Sequence, residues 1–165
     1  MFEPPRKLSK ADDLSKFDCG KQSLNDWLKK FAWQNQQGGT SVTYVVIGSR
    51  QVLAYYSLST GSVTPSDATQ RVSKGVGKYP IPILLLGRLA VDKSLHGRGI
   101  GYSLLQDVLL RSVGVADQVG IRAIVVDAVD EEAKRFYRKY GFDESPIDGM
   151  RLMLLIKDIK KTLGL

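Results

Sequence analysis

Residues 88–101, with the sequence RLAVDKSLHGRGIG, join the end of an apolar segment to a glycine-rich turn and the start of an amphipathic helix. Glycines at 97, 99 and 101 remove side chains at the helix start, so a ligand can approach the backbone closely. The free N–H groups and the positive end of the helix dipole then favour an anion such as a pyrophosphate. The turn therefore predicts a phosphate-bearing cofactor, although an ordinary strand-to-helix turn has the same composition.

The apolar pattern around this turn predicts alternating strands and helices. Before the turn we expect a helix with Leu24, Trp27, Leu28 and Phe31 on its apolar face, and then a hairpin of residues 41–47 and 52–63. From residue 81 onward we expect a strand over 81–91, a helix with an apolar stripe over 100–112, a strand over 121–128, a helix over 133–140 ended by Gly141, and a last strand over 151–159. This order predicts one domain over residues 1–165, of class α/β (α+β), with a mixed, partly parallel central sheet flanked by helices.

Composition excludes several classes of protein. No apolar run approaches the ~18 residues of a membrane span, and the start MFEPPRKLSK lacks the apolar stretch of a signal peptide, so we expect a cytoplasmic protein with no membrane partner. A single cysteine, Cys19, and a single histidine, His96, argue against a disulfide, a metal site and a Ser-His-Asp triad. A dinucleotide GxGxxG motif fails at Tyr102, and a P-loop fails at Tyr79.

The net charge of +7 is concentrated in the first half of the chain. Between Trp27 and Val91, seven lysines and arginines are set against one acid, Asp67. This excess is compatible with a solvated surface or with an anionic macromolecular partner such as nucleic acid.

The glycine-rich turn, together with the segment DEEAKRFYRKYGF (residues 130–142), resembles the cofactor motif and following helix of the GNAT superfamily of acetyl-CoA-dependent N-acetyltransferases. That motif is written as Gln or Arg, two residues, Gly, one residue, then Gly or Ala; here His96 takes the first position, and Asp130 stands where many members carry Asn. The resemblance implies a GNAT-like fold and a cofactor site made of Leu89, Ala90, Val91, His96, Gly97, Arg98, Gly99, Ile100, Gly101 and Phe136.

The chemistry of acetyl transfer narrows the candidate catalytic residues. An α-amine has a pKa of about 7.7–8.0, so a useful fraction is neutral without a strong base, and a backbone N–H near residues 89–91 can bind the oxyanion. A tyrosine with a pKa of about 10 stays protonated and can donate to the leaving thiolate. The resemblance implies that this acid is Tyr137, directly after Phe136; for Tyr137 and Tyr140 alike, a core aromatic on a helix face is the alternative.

Three further segments, 17–32, 55–63 and 87–94, are similar to the GNAT toxins of bacterial type II toxin-antitoxin systems. Members of that group acetylate the α-amine of aminoacyl-tRNA, block translation and are restrained by a ribbon-helix-helix antitoxin. The resemblance implies this substrate, such an antitoxin and a homodimer, with Trp33 as a candidate contact residue. The expected contacts with tRNA phosphates are Lys29, Lys30, Arg71, Lys74, Lys78 and Arg88.

Two other functions stay open at this point. One is a GNAT enzyme that acetylates a small amine or a protein N-terminus, for which activity would depend weakly on salt. The other is a CoA-binding regulator without catalysis, in which replacement of Tyr137 by Phe would change nothing.

Overall fold

The structure, a computed structural model, describes residues 2–165. Within this range the strands are β1 (Arg6–Lys7), β2 (Val42–Gly48), β3 (Gln51–Val63), β4 (Ile81–Val91), β5 (Ala123–Asp127), β6 (Asp143–Glu144) and β7 (Arg151–Leu155). The α-helices are α1 (Gln22–Trp27), α2 (Trp33–Gln37), α3 (Gln70–Ser73), α4 (Ile100–Ala116), α5 (Glu131–Lys139) and α6 (Ile156–Leu163). A π-helical segment (Leu28–Ala32) joins α1 to α2, and a 3₁₀ turn (Lys93–Leu95) follows β4.

The described strands form one sheet in the order β1-β2-β3-β4-β5-β7-β6. The β4–β5 pair is parallel, with Ile83 opposite Ala123 and Leu86 opposite Val126. The β1–β2, β2–β3, β5–β7 and β6–β7 pairs are antiparallel. The predicted mixed, partly parallel sheet of an α/β protein is therefore confirmed.

The chain divides into two compact units. The first consists of the residues up to Ser59 together with Gly87–Val108. Its core contains Trp27 and Tyr55, whose rings stack with 6.0 Å between centroids. The Tyr55 hydroxyl donates a hydrogen bond of 2.7 Å to the Leu24 carbonyl, which satisfies the polar end of a fully buried ring. This bond and the stacking fix the first helix against β3.

The predicted apolar face of that helix is correct for Leu24, Trp27 and Leu28 but wrong for Phe31, which is 49% exposed. The reason is the π-helical segment, because its wider turn shifts the buried position from Phe31 to Ala32. The same shift turns Trp33 inward, where it packs against the core of the first unit.

The second unit comprises Thr60–Leu86 and Leu109–Leu165. Its core includes Val63, Ile81, Val125 and Met153. The last strand is shorter than the predicted 151–159, since β7 ends at Leu155 and the chain continues as α6. An apolar run does not reveal this change, because Ile156 and Ile159 are buried at helical spacing directly after the strand.

Two other findings concern the length of the helices and the segment between β3 and β4. No helix within residues 2–165 is long and apolar enough to cross a membrane. Segment 64–80 contains the short helix α3, which the Thr69 side chain caps by accepting from the Val72 N–H at 3.3 Å. The single domain over residues 1–165 stays a prediction.

Candidate active site

A buried aspartate in the first unit fixes the direction in which the chain leaves β4. The Asp92 carboxylate accepts hydrogen bonds from the N–H groups of Asp18 and Ser94, each at 3.0 Å. Its own N–H donates to the Leu53 carbonyl at 2.8 Å. Burial raises the pKa of Asp92, but these hydrogen bonds outweigh burial and the pKa lies below its ordinary value. Asp92 is not among the predicted site residues, although an Asp directly after an apolar strand and two residues before a Ser is the signal of such a turn.

The glycine-rich turn presents a row of free backbone donors. The N–H groups of residues 97–101 make no hydrogen bond within residues 2–165. Gly97 and Gly99 have φ values of 78° and 75°, and a Cβ added to either would meet no atom within 4 Å. Left-handed residues alternating with others direct successive N–H groups toward one side, and α4 begins at Ile100. The turn therefore has the form of a cradle for a pyrophosphate.

The side chains around this cradle differ in what they contact. The Nε2 atom of His96 lies 2.8 Å from the Val91 carbonyl oxygen, so this nitrogen carries the proton and donates it. His96 thus holds the turn to the end of β4. Arg98 is exposed, and Leu89 and Val91 are half-buried while Ala90 is buried. These placements are compatible with the cofactor roles of the segment, which stay predictions.

In the second unit, the helix α5 positions the candidate acid. Asp130 is the N-cap of α5, and its carboxylate accepts from the Ala133 N–H at 2.8 Å, which gives this departure from the family pattern a structural role. The Tyr137 ring is 5% exposed and lies 5.4 Å from the ring of Phe142. Phe136 contacts Tyr137 edge-on at 5.2 Å.

The Tyr137 hydroxyl has an unusual environment. It has no hydrogen-bond partner within residues 2–165. The fully buried side-chain oxygens without a partner in this range belong to Ser41 and Thr43, so the Tyr137 hydroxyl retains some contact with solvent. Burial of the ring raises the pKa of Tyr137 well above its ordinary value. The phenol therefore stays protonated and has its donor available.

Three predicted tRNA-contact residues lie in the first unit. Lys29 and Lys30 are exposed on the π-helical segment, and the Lys30 ammonium lies 3.9 Å from the Asp26 carboxylate. Arg88 is different, because its guanidinium carbon lies 4.3 Å from the centroid of the Trp27 ring and is half-buried. Burial lowers the pKa of Arg88 from its ordinary value.

The other three predicted contacts lie in the second unit, in and after α3. Lys74 and Lys78 are exposed, whereas Arg71 is engaged by the Asp158 carboxylate through two hydrogen bonds of 2.9 and 2.5 Å. Arg122 donates to the carbonyls of Arg71, Val72 and Lys74 at 3.4, 3.0 and 3.0 Å and so holds the end of α3. Arg122 is not predictable from the sequence, because a guanidinium that binds distant carbonyls leaves no local pattern.

A polar network at the end of β5 was also missed. The Arg151 guanidinium donates to both oxygens of Asp127 at 2.8 and 3.1 Å and to Asp67 at 2.7 Å. The Ser145 hydroxyl donates to the same Asp67 carboxylate at 2.6 Å. Burial raises the pKa of Asp67, but the bonds from Ser145 and Arg151 together keep the pKa below its ordinary value. The network ties segment 64–67 to β7.

Comparison with known families agrees with this geometry. The pattern of the acetyltransferase (GNAT) domain matches residues 41–144, a stretch that contains both the N–H cradle and Tyr137. The chain belongs to the GNAT acetyltransferase family, as its motifs predicted.

Several individual proteins are similar to this chain over nearly its whole length. The tRNA-acetylating toxin of Mycobacterium tuberculosis (strain ATCC 25618 / H37Rv) is 42% identical over 163 residues, which are 99% of this chain and 98% of the relative. The structure of AtaT complexed with acetyl-methionyl-tRNAfMet has a TM-score of 0.89 and 28% identity, covering 97% of this chain and 98% of that one. A mutant AtaT toxin bound to the C-terminus of the antitoxin AtaR and acetyl-CoA has a TM-score of 0.84 and 28% identity, covering 98% of each chain.

Proposed function

We propose that this protein is a toxin that transfers the acetyl group of acetyl-CoA to the α-amine of aminoacyl-tRNA and thereby inhibits translation. The observation that carries this proposal is the 42% identity, over nearly the whole of both chains, to a tRNA-acetylating toxin. The whole chain acts as one domain in the cytoplasm, where charged tRNA is found. A cognate ribbon-helix-helix antitoxin restrains it, and two copies form a homodimer.

Residues of the first unit hold the acetyl donor. The N–H cradle of residues 97–101 binds the pyrophosphate of acetyl-CoA, assisted by Arg98, and its fit rests on the five free donors and on the open space beside Gly97 and Gly99. Leu89, Ala90 and Val91 bind the pantetheine arm through their backbone, with an N–H of this segment donating to the carbonyl oxygen of the thioester. Acetyl-CoA supplies the acetyl group as a thioester, which an amine can attack directly.

Tyr137 supplies the proton for the departing thiolate. The amine nitrogen forms a bond to the acetyl carbon, the carbon–sulfur bond breaks, and the Tyr137 hydroxyl protonates the sulfur. The new ammonium nitrogen loses one proton to solvent, and solvent returns one proton to the Tyr137 oxygen, so that the phenol is restored. Support comes from the raised pKa of Tyr137 and from its hydroxyl, which has no other partner within residues 2–165. Phe136 packs beside the Tyr137 ring and holds its orientation.

The acceptor is bound through its phosphates. Lys29, Lys30, Lys74 and Lys78 are exposed and contribute affinity for tRNA of any sequence. Arg71 contributes less, because Asp158 already occupies two of its donors.

Transfer of labelled acetyl from acetyl-CoA to a pool of charged tRNAs tests the proposal. Tyr137→Phe should lower the rate of transfer by about 10²- to 10⁴-fold, because the variant keeps the ring and loses the donor. Tyr140→Phe is the matched control, since Tyr140 lies on the same segment and its ring also contacts Phe136, with 5.2 Å between centroids. Acetyl-CoA binding, measured in parallel, should be unchanged in both variants.

Three results would contradict this proposal in different ways. If small amines or peptides accept acetyl while charged tRNA does not, the proposed substrate, aminoacyl-tRNA, is wrong. If acetyl-CoA binds and no amine is acetylated, the protein is a CoA-binding regulator. If Tyr137→Phe retains full activity, another group protonates the thiolate.

A further inference from the structure

Arg88 is a partly buried cation that pairs with no anionic group of residues 2–165. Its guanidinium forms neither an ion pair nor a hydrogen bond within residues 2–165, although its side chain is half-buried. Partial burial removes some of the hydration of a charged group, and this penalty is recovered only when the group finds an anionic or hydrogen-bonding partner. Stacking on Trp27 compensates for part of this penalty but leaves the N–H donors of the guanidinium unused.

The wall of residues beneath Arg88 is aromatic and uncharged. The Trp27 ring beneath it stacks on Tyr55 at an angle of 11°, and the ring of Phe17 contacts Tyr55 edge-on at 5.5 Å. The Tyr55 hydroxyl is held by the Leu24 carbonyl, and burial raises the pKa of Tyr55 so that it stays neutral. No group in this wall competes for the guanidinium, which is therefore held in place for an anion from outside.

The position of Arg88 on β4 indicates which anion this is. Arg88 directly precedes Leu89, the first residue of the segment proposed to hold the thioester, so their Cα atoms are about 3.8 Å apart. The reacting amine of a charged tRNA sits on an amino acid esterified to the terminal adenosine. The phosphodiester on the 5′ side of that adenosine is the closest anionic group of the tRNA to the amine.

We propose that the guanidinium of Arg88, stacked on Trp27, binds the 3′-terminal phosphodiester of the acceptor and so positions the α-amine beside the thioester. The inference rests on the proposed function and goes beyond it, because it separates Arg88 from the lysines that bind tRNA phosphates in general. A planar guanidinium binds a phosphate through two parallel hydrogen bonds, which fixes orientation as well as affinity.

Two small acceptors that differ by one nucleotide test this role. Aminoacyl-adenosine has no phosphate, whereas aminoacyl-CpA (aminoacyl-cytidylyl-adenosine) has the single phosphodiester in question. The measured quantity is the ratio of kcat/KM for aminoacyl-CpA to kcat/KM for aminoacyl-adenosine. The wild type should prefer aminoacyl-CpA, and Arg88→Gln should reduce this preference by about 10- to 100-fold, the loss of a charge-assisted hydrogen-bonded pair.

Two further variants separate the phosphate contact from charge and from folding. Lys16→Gln removes one exposed positive charge of the same unit and should keep the wild-type preference. Arg88→Lys keeps the charge but not the planar fork, and should retain only part of the preference. Thermal unfolding of each variant shows whether loss of the contact with Trp27 has disturbed the fold.

The inference and the proposed function fail in distinguishable ways. If the wild type acetylates charged tRNA and Arg88→Gln keeps the wild-type preference, the phosphate site is not Arg88, and the proposed function stands. If the wild type acetylates charged tRNA but shows no preference for aminoacyl-CpA, the inference is likewise overturned. If neither small acceptor nor charged tRNA is acetylated, the proposed function fails as well.

Discussion

Tyr137 shows how much the surroundings of a residue determine its chemistry. Its neighbour Tyr140 has the same side chain and lies on the same segment, but Tyr140 is half-buried at the end of α5 whereas Tyr137 is 5% exposed. Burial makes the charged phenolate unfavourable, and so the pKa of Tyr137 rises. A protonated phenol over the whole physiological range is what donation to a thiolate requires.

The raised pKa of Tyr137 predicts that the rate of acetyl transfer rises with pH and then levels off, without falling at alkaline pH. The rate should rise toward pH ~8 as the α-amine of the acceptor loses its proton, and should then stay level to about pH 10 because the pKa of Tyr137 lies above the ordinary phenol value. Initial rates with charged tRNA in short assays, measured before the ester hydrolyses, check this. A fall in rate between pH 8 and 9.5 would mean that the acid titrates there and is not a buried tyrosine.

The turn between β4 and α4 functions as one element. Asp92 and His96 fix its two sides through hydrogen bonds to the backbone, and Gly97 and Gly99 have left-handed conformations that other residues rarely adopt. The row of N–H donors therefore exists before any ligand binds. Such preorganisation favours binding, because little conformational entropy remains to be lost.

Gly99→Ala tests this element. The added methyl group would extend into open space beside the turn and would strain a φ of 75°. We expect the KM for acetyl-CoA to rise by about tenfold or more, from the loss of one or two N–H contacts of roughly 1 kcal/mol each. Isothermal titration with CoA measures the effect on binding directly.

Gly114→Ala is the matched control for that change, because Gly114 lies inside α4 and a Cβ there meets no atom within 4 Å. This variant should bind CoA normally and gain stability, since Ala is favoured over Gly in a helix interior by about 1 kcal/mol. Equal CoA affinity in both variants would show that the turn does not hold the cofactor.

On the scale of the whole molecule, the charge distribution matters more than any single lysine. The chain carries a net charge of +7, and between Trp27 and Val91 one acid is set against seven basic residues. Some of these basic residues are already ion-paired, as Arg71 is with Asp158, and others are exposed, as Lys74 and Lys78 are. A polyanionic acceptor gains from the exposed part through release of its counterions.

Activity on charged tRNA should therefore depend steeply on salt. Between 50 and 200 mM salt, kcat/KM for charged tRNA should fall by about tenfold or more, as expected if three or more phosphates are neutralised. The same quantity for aminoacyl-adenosine should change little over this range. Parallel salt dependences for the two acceptors would argue against a tRNA-binding surface.

The sequence by itself determined those features that depend on local pattern. Apolar runs located β4 and β5, the glycines at 97, 99 and 101 located the cradle, and the order of strands and helices predicted the mixed sheet. The glycine-rich turn and the segment 130–142 were together sufficient to predict the family, which the match over residues 41–144 confirms. These signals are readable because each lies within a few consecutive residues.

Only the tertiary structure decided features that depend on contacts between distant segments. The π-helical segment that exposes Phe31 and the end of β7 at Leu155 follow from which face each segment buries. Arg122 and the network of Arg151 join residues dozens of positions apart. Likewise, the sequence grouped Arg88 with the surface lysines, and its stacking on Trp27 became visible only because folding brings β4 to the first helix.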